Sequence, residues 1–397
     1  MSVITSRPVL RWAVPAGLVL VVLGAGALTT ALQASADVRL PQRSAAQLLV
    51  DLQTAQLDGV SGTVVERADL GLPALPASLA GSNGTDLTSL ISGSNTMRVW
   101  YSGKDKARVA LIRTLGESDI IHNGTDTWVW NSRENTAVHY KETATGDHAA
   151  KPDVTPSGLP SDLPKTPHEM ADRVLAALDP TTAVSTDSNA IVAGHKAYQL
   201  VLRPRDTASL IAEVRIAIDG TAHLPTRAQV FAKGSLDKAA FEIGFTQVSF
   251  KRPDNGVFAF NPPPGAKVTE ADEAAKNAAG KDGATRPQDG ATKPAAPSAP
   301  TQEPKTAIIG KGWTAVLVAR QPVSGTAPKN GQTDRAQAGL QGFVDRLPQV
   351  HGAFGTGRVL TSRLFTALLL DDGRVLVGAV DENRLIAAAN DPAAALR

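Results

Sequence analysis

The chain has 397 residues, 42% of them hydrophobic and 20% charged, with a formal net charge of +2 and no cysteine. That length suffices for two domains with cores of their own, and the composition excludes disorder of the chain as a whole. So small a net charge, with no cluster of Lys and Arg, argues against a nucleic-acid partner, and the missing cysteines exclude disulfides, thiolate metal sites and cysteine-linked lipid.

In chain order, Arg7 and Arg11 precede an uncharged run over residues 12–32. As a helix it would be roughly 30 Å long, enough to span a bilayer. Ala34-Ser35-Ala36 follows with the small-residue spacing of a signal-peptidase site. Residues 1–36 therefore read either as a cleaved secretory signal or as a single-pass membrane anchor, and both place the remainder outside the cytoplasmic membrane. Ser44 with Gln47 makes a capping box for a helix bearing Ala45, Leu48, Leu49, Leu52 and Ala55 on one face, with a glycine cap expected near Asp58-Gly59. Residues 60–65 read as a strand, and 71–95, rich in Leu, Pro, Ser and Gly, as a long loop.

Strands then dominate. Met97, Val99 and Tyr101 alternate with Arg98 and Trp100, and residues 107–113 follow a turn at 102–105. Both faces of 109–112 are apolar, so the pattern leaves the inward face open. Asn123-Gly124, between 119–122 and 127–130, predicts a type I′ hairpin. A strand over 136–140, a polar loop over 143–165 and a helix opened by Thr166-Pro167-His168-Glu169 come next, the helix carrying Met170, Val174, Leu175 and Leu178. Two strands at 191–192 and 197–202 lead into a three-pass meander. Its passes carry Val214, Ile216 and Ile218, then residues 223–231 after a hairpin at Asp219-Gly220, then Phe241, Ile243 and Phe245. The last pass is read as ending at Gly256-Val257-Phe258-Ala259-Phe260, closed by three prolines.

Residues 269–304 hold almost no large apolar side chain and read as a disordered linker. Beyond it, 305–397 reads as a small α+β unit: strands at 307–309 and 313–319, a helical face of Leu340, Phe343, Val344 and Leu347, a hairpin of 358–370 with 374–380, and a helix at 384–389. A unit of that size is marginal alone and is expected to dock on the first domain or a partner.

Catalytic patterns are poor. His122, His139, His148, His168, His195, His223 and His351 show no metal-ligand spacing. Ser235-Leu236-Asp237-Lys238 matches an S-x-x-K pattern without the Ser-Asp-Asn or Lys-Thr-Gly that should follow. The Gly-rich 352–357 lacks a phosphate-loop ending. Asn83 and Asn123 head glycosylation sequons that are also plain turn sequences. No enzyme activity, catalytic residue, metal or cofactor is expected.

Four stretches carry a family resemblance: Leu57-Asp58-Gly59-Val60-Ser61-Gly62-Thr63-Val64, Thr127-Trp128-Val129-Trp130, Asp219 with Leu224-Pro225-Thr226-Arg227, and Gly256 to Phe260 with Pro263-Pro264-Gly265 behind it. With one helix, antiparallel strands, a second helix and a closing meander, residues 44–268 resemble the half-barrel family of the periplasmic lipoprotein carrier LolA and the MucB/RseB regulators of an envelope-stress sigma factor. The stretch 71–95 and the part after Val268 depart from that pattern. The resemblance implies an α+β chain in which 37–268 form a curved antiparallel half-barrel lidded by helices, with a concave apolar face that accepts acyl chains. The residues expected on that face are Val64, Val99, Trp128, Trp130, Leu200, Leu202, Val214, Ile216, Phe241, Ile243 and Phe245. The same residues could equally be closed core. Two roles follow. One is an exported, non-enzymatic carrier or sensor of lipid or lipoprotein acyl chains at the outer face of the cytoplasmic membrane. The other is an extracytoplasmic regulator that grips a membrane anti-sigma partner, with 305–397 as the binding unit.

Overall fold

The computed structural model describes residues 40–73, 93–113, 116–141, 180–271, 306–320, 339 and 341–395. The apolar run at 12–32, its cleavage pattern, most of the loop read at 71–95, the helix expected from Thr166 and nearly all of the linker lie outside the described residues. Among the described residues no helix is long and apolar enough to cross a membrane.

The first helix, Ala45–Thr54, starts as its sequence dictates. Gln47 N–H donates to Ser44 Oγ at 3.2 Å, and the Ser44 N–H donates back to Gln47 Oε1 at 2.9 Å. It stops earlier than expected and without glycine. Ala55 turns extended at φ −58°, ψ 124°, and Gly59 opens the next strand instead of capping the helix. Thr54 Oγ1 bonds the Val50 carbonyl at 2.8 Å, so one carbonyl of the last turn is satisfied locally.

Two meanders form one large sheet. The first runs β1 (Gly59–Ala68), β2 (Gly93–Ser102), β3 (Lys106–Arg113), β4 (Gly116–Asn123), β5 (Asp126–Asn131) and β6 (Thr136–Lys141). The second runs β7 (Thr182–Val192), β8 (His195–Pro204), β9 (Ile211–Asp219), β10 (Pro225–Ala232) and β11 (Phe241–Ser249). Each strand pairs antiparallel with its chain neighbour, and β1 pairs antiparallel with β11, so the meanders fuse at that seam. A bulge at Thr63/Val64 marks the seam, and a Cβ on Gly62 would lie 2.2 Å from the Gln247 carbonyl oxygen, so glycine is required there. The sheet is open: β7 forms one edge and β12 (Lys267–Glu270) the other.

Two turns differ from expectation. Asn123 ends β4 and pairs with Asp126, leaving Gly124-Thr125 as the loop. Positive φ occurs at Gly124 (67°) and not at Thr125, which excludes type I′. The β9–β10 turn is a longer loop over 220–224, held by Asp219 Oδ1 accepting the N–H groups of Thr221 and Ala222, with His223 at φ 54°. Asp219-Gly220 thus acts through an Asx turn and not as a two-residue hairpin.

The stretch 256–260 is not a strand. Asp254 Oδ1 accepts from Gly256 N–H at 2.7 Å and starts a 3-10 turn, Asn255–Phe258. Residues 250–266 form a strap across one face of the sheet: Lys106 Nζ bonds Asn255 Oδ1 at 3.0 Å, and Arg108 donates to the Val257 carbonyl at 3.1 Å. Phe258, 1% exposed, packs against β3 and β4. The strap ends where Asn135, at φ 51°, donates to the Gly265 carbonyl and its own carbonyl accepts from Lys267 N–H. From there β12 joins β6 in parallel, so the sheet continues through Thr269 and Glu270, residues read from the sequence as linker.

A separate six-stranded sheet follows, of β13 (Thr306–Ile309), β14 (Val316–Arg320), β15 (Gln349–Gly352), β16 (Gly355–Thr361), β17 (Thr366–Leu370) and β18 (Arg374–Gly378), in the order β13-β14-β18-β17-β16-β15. The helix Glu382–Ala389, capped by Asp381, lays Leu385 onto Val316, Val318, Leu368 and Leu376. The expected strand over 358–370 is two strands, because Ser362 Oγ accepts the N–H groups of Leu364 and Phe365 in a tight turn. Residues 312–314 form a 3-10 turn ahead of β14. This unit docks on one end of the large sheet. Leu210 N–H donates to the Ala379 carbonyl at 2.8 Å, Trp313 Nε1 to Thr182 Oγ1 at 2.7 Å, and Arg363 N–H to the Leu70 carbonyl at 2.8 Å, while Arg363 pairs with Asp69 at 2.7 Å.

Candidate functional site

Strand register sorts the apolar residues onto two faces, because residues opposite one another in a ladder share a face. One face carries Val64, Val99 and Ile243, each at most 2% exposed, packed with Val109, Ala228, Phe241 and Phe245. At the β7–β9 end, Leu48 of the first helix covers Tyr198, Leu200 and Ile218, with Leu202 and Ile216 beside them. Val214 sits opposite Val230 in the same row. Nine of the eleven residues expected on the apolar face are thus on one side. Beyond the seam the row continues as Val109, Ile120, Val129 and Val138, each opposite the next, and Ile120 is 49% exposed. The face is therefore closed at its centre, helix-covered at one end and half-open on its β3–β6 wing.

Trp128 and Trp130 belong to the other face, a correction to the expected set. Trp128 lies opposite Ile121 and His139, and Trp130 opposite Asp119 and Ala137, whereas Val129 between them shares the face of Val99. With period-two alternation only Val129 or the two tryptophans could share the face of Val99.

Sequence reasoning missed Glu66. It lies opposite Ile243 and Asn95 on the apolar face and is 2% exposed, with Oε2 accepting from Asn95 Nδ2 at 2.7 Å. Burial pushes its carboxyl above the usual range, and the Asn95 bond opposes that in part.

The opposite face holds a cleft of about 520 Å³ beneath the strap. Arg108, Ile112, Glu117, Asp119, Trp130 and Phe260 line it. Asp119 is 2% exposed and pairs through Oδ2 with Arg108, whose guanidinium also lies over the Trp100 ring and 3.6 Å from Glu117. Burial is the main cause that pushes Asp119 up to about 7; the Glu117 carboxyl beside it adds to this, and Arg108 opposes it. Nearby, His139 stacks on Trp128 with ring centroids 4.1 Å apart, its Nε2 2.8 Å from Asp126 and its Nδ1 3.0 Å from Glu270 of β12.

The S-x-x-K residues are not arranged as a nucleophile and base. Ser235 Oγ bonds Asp237, and Lys238 Nζ bonds Asp69 at 2.7 Å. Among the described residues no cluster of three metal-capable side chains exists.

No family model and no curated protein matches the chain. Among solved structures it is similar to MucB in the MucA/MucB complex of Pseudomonas aeruginosa, with 14% identity, TM-score 0.38, and coverage of 87% of this chain and 96% of that one. It is also similar to a LolA superfamily protein from Nitrosomonas europaea, with 11% identity, TM-score 0.22, and coverage of 55% and 99%. A third is an outer membrane lipoprotein-sorting protein domain from Vibrio parahaemolyticus, with 12% identity, TM-score 0.19, and coverage of 54% and 97%. These are the families that the sequence motifs resemble.

Proposed function

We propose that the chain is an extracytoplasmic, non-enzymatic binding protein that carries or senses acyl chains of lipid or lipoprotein at the outer face of the cytoplasmic membrane. The half-open wing carries this reading: Val109, Ile120, Val129 and Val138 form a cross-strand apolar row running outward from a closed core, with Ile120 49% exposed. Residues Leu202, Val214, Ile216, Phe241 and Phe245 are only partly buried and extend the same face. An acyl chain laid there gains about 0.8 kcal/mol per buried CH₂, on the order of 10 kcal/mol gross for a long chain before the cost of association. Native mass spectrometry of the protein from its own envelope is expected to show an acylated adduct. Ile120→Asp should weaken uptake of a fluorescent fatty acid at least tenfold. A bare protein that also refuses added lipid rejects the reading.

A second reading, regulation through a membrane protein, has its own observation. Ile308, 70% exposed, Leu317, 47% exposed, and Val377 stand opposite one another on the small sheet, on the side away from its helix. A photo-crosslinker at position 317 of the full chain should capture a membrane protein in intact envelopes, and Leu317→Lys should abolish competition for it. No adduct at this position counts against that role.

A further inference from the structure

The shape of the apolar wing narrows the lipid that it can take. Across β3, β4, β5 and β6 the row Val109, Ile120, Val129 and Val138 is apolar throughout. The rows two residues to either side of it, on the same face of β4 to β6, carry polar groups. His122, Thr127 and Tyr140 flank it toward one end of the strands, and Ser118, Asn131 and Thr136 toward the other. The apolar strip on these strands is therefore one side chain wide, about 7 Å along a strand. A docked helix, about 10 Å across, needs a broader stripe, whereas a single acyl chain fits. The inner end of the strip is closed, because Val64 and Val99 at the seam are at most 2% exposed. Its outer end opens at β12, where Thr269 lies opposite Val138. Lys267, opposite Thr136, brings an exposed ammonium to the same face beside that opening, and it has no ion pair among the described residues.

We propose that the wing binds one straight acyl chain, laid across the strands with its methyl end at Val109 and an anionic headgroup at Thr269 and Lys267. The closed seam sets the direction. A polar headgroup at Val64 and Val99 would be buried without a partner, whereas at β12 it meets a hydroxyl, an ammonium and water. The strand order sets the length. From β3 to β12 is four strand spacings, about 19 Å. With C–C bonds of about 1.5 Å, an extended chain advances about 1.25 Å per bond, so the strip holds about sixteen carbons. Built on the acyl reading, this arrangement adds to it one chain per protein, a limit of length and a headgroup charge.

The test uses the full chain and a series of straight fatty acids, from decanoate to arachidate, in competition with a fluorescent fatty acid. Affinity should rise about two- to fourfold per added CH₂ up to about sixteen carbons and level off beyond, at one ligand per protein. Lys267→Glu should weaken palmitate about fivefold and leave monopalmitoylglycerol, which has the same chain and no charge, unchanged. Lys267 is exposed, so this variant separates loss of the headgroup contact from loss of the fold. A rise that continues unbroken to arachidate, two ligands per protein, or an equal loss of both palmitoyl ligands overturns the proposal. Refusal of every chain length rejects the acyl reading itself, so the two failures are distinct.

Discussion

Phe258→Ala is expected to lower the unfolding free energy by about 3–5 kcal/mol, the range for emptying a buried aromatic site. Phe258 is 1% exposed and is the apolar anchor of the strap on β3 and β4. In a domain of this size the loss corresponds to a Tm drop of roughly 10 °C. The strap also delivers β12 to β6 and covers Trp128 and Trp130 with Phe260, at 5.4 and 5.8 Å. Tryptophan emission of the folded variant should therefore shift to the red. A loss under about 1 kcal/mol with unchanged emission would show that the strap is held elsewhere.

Asp119 sets the second large effect, on pH dependence. Its carboxyl titrates near 7 in the folded chain and near 3.8 when unfolded. Between those values the unfolded chain binds fewer protons than the folded one, so stability falls as pH rises from about 4 to about 7 and is then flat. The fall attributable to this group is about 4 kcal/mol at most. Asn mimics the protonated acid. Asp119→Asn should match the parent near pH 4 and exceed it at pH 8, by an amount read from urea midpoints at the two pH values. Glu66, also pushed up, contributes a fall of the same sign in both proteins and cancels in the comparison. An equal difference between the proteins at both pH values would refute the assignment.

Local chemistry made much of this legible. The Ser44 capping box, the glycine-bearing turn after Asn123 and the alternation in β2, β9 and β11 each depend on residues close in sequence. What the sequence hid depends on pairing between distant segments. Residues 256–260 alternate like a strand, but Asp254 satisfies Gly256 locally and bends the chain into a 3-10 turn. The strand Lys267–Glu270 is short and mostly exposed, without an apolar period, and exists because β6 offers it an edge. The face of Trp128 and Trp130 follows from register with β4 and β6, and both candidate faces are apolar. Arg108 and Asp119 meet only because Ala110 lies opposite Asp119, which sets Arg108 on the diagonal.

The position of β12 also fixes how the two sheets are tethered. The chain leaves the large sheet at the β12 edge, while the small unit docks along the other half of the strand order, from Asp69 and Leu70 after β1 to Leu210 before β9 and Thr182 of β7. At about 4.8 Å per strand, β12 lies roughly 30 Å from β1 and roughly 50 Å from β7. Residues 272–305, at about 3.4 Å each, could reach roughly 110 Å. The connection is long enough to cross the sheet with slack, so undocking need not separate the units. Because docking joins two parts of one chain, a competitor for the contacts of Arg363 and Leu210 faces an intramolecular rival.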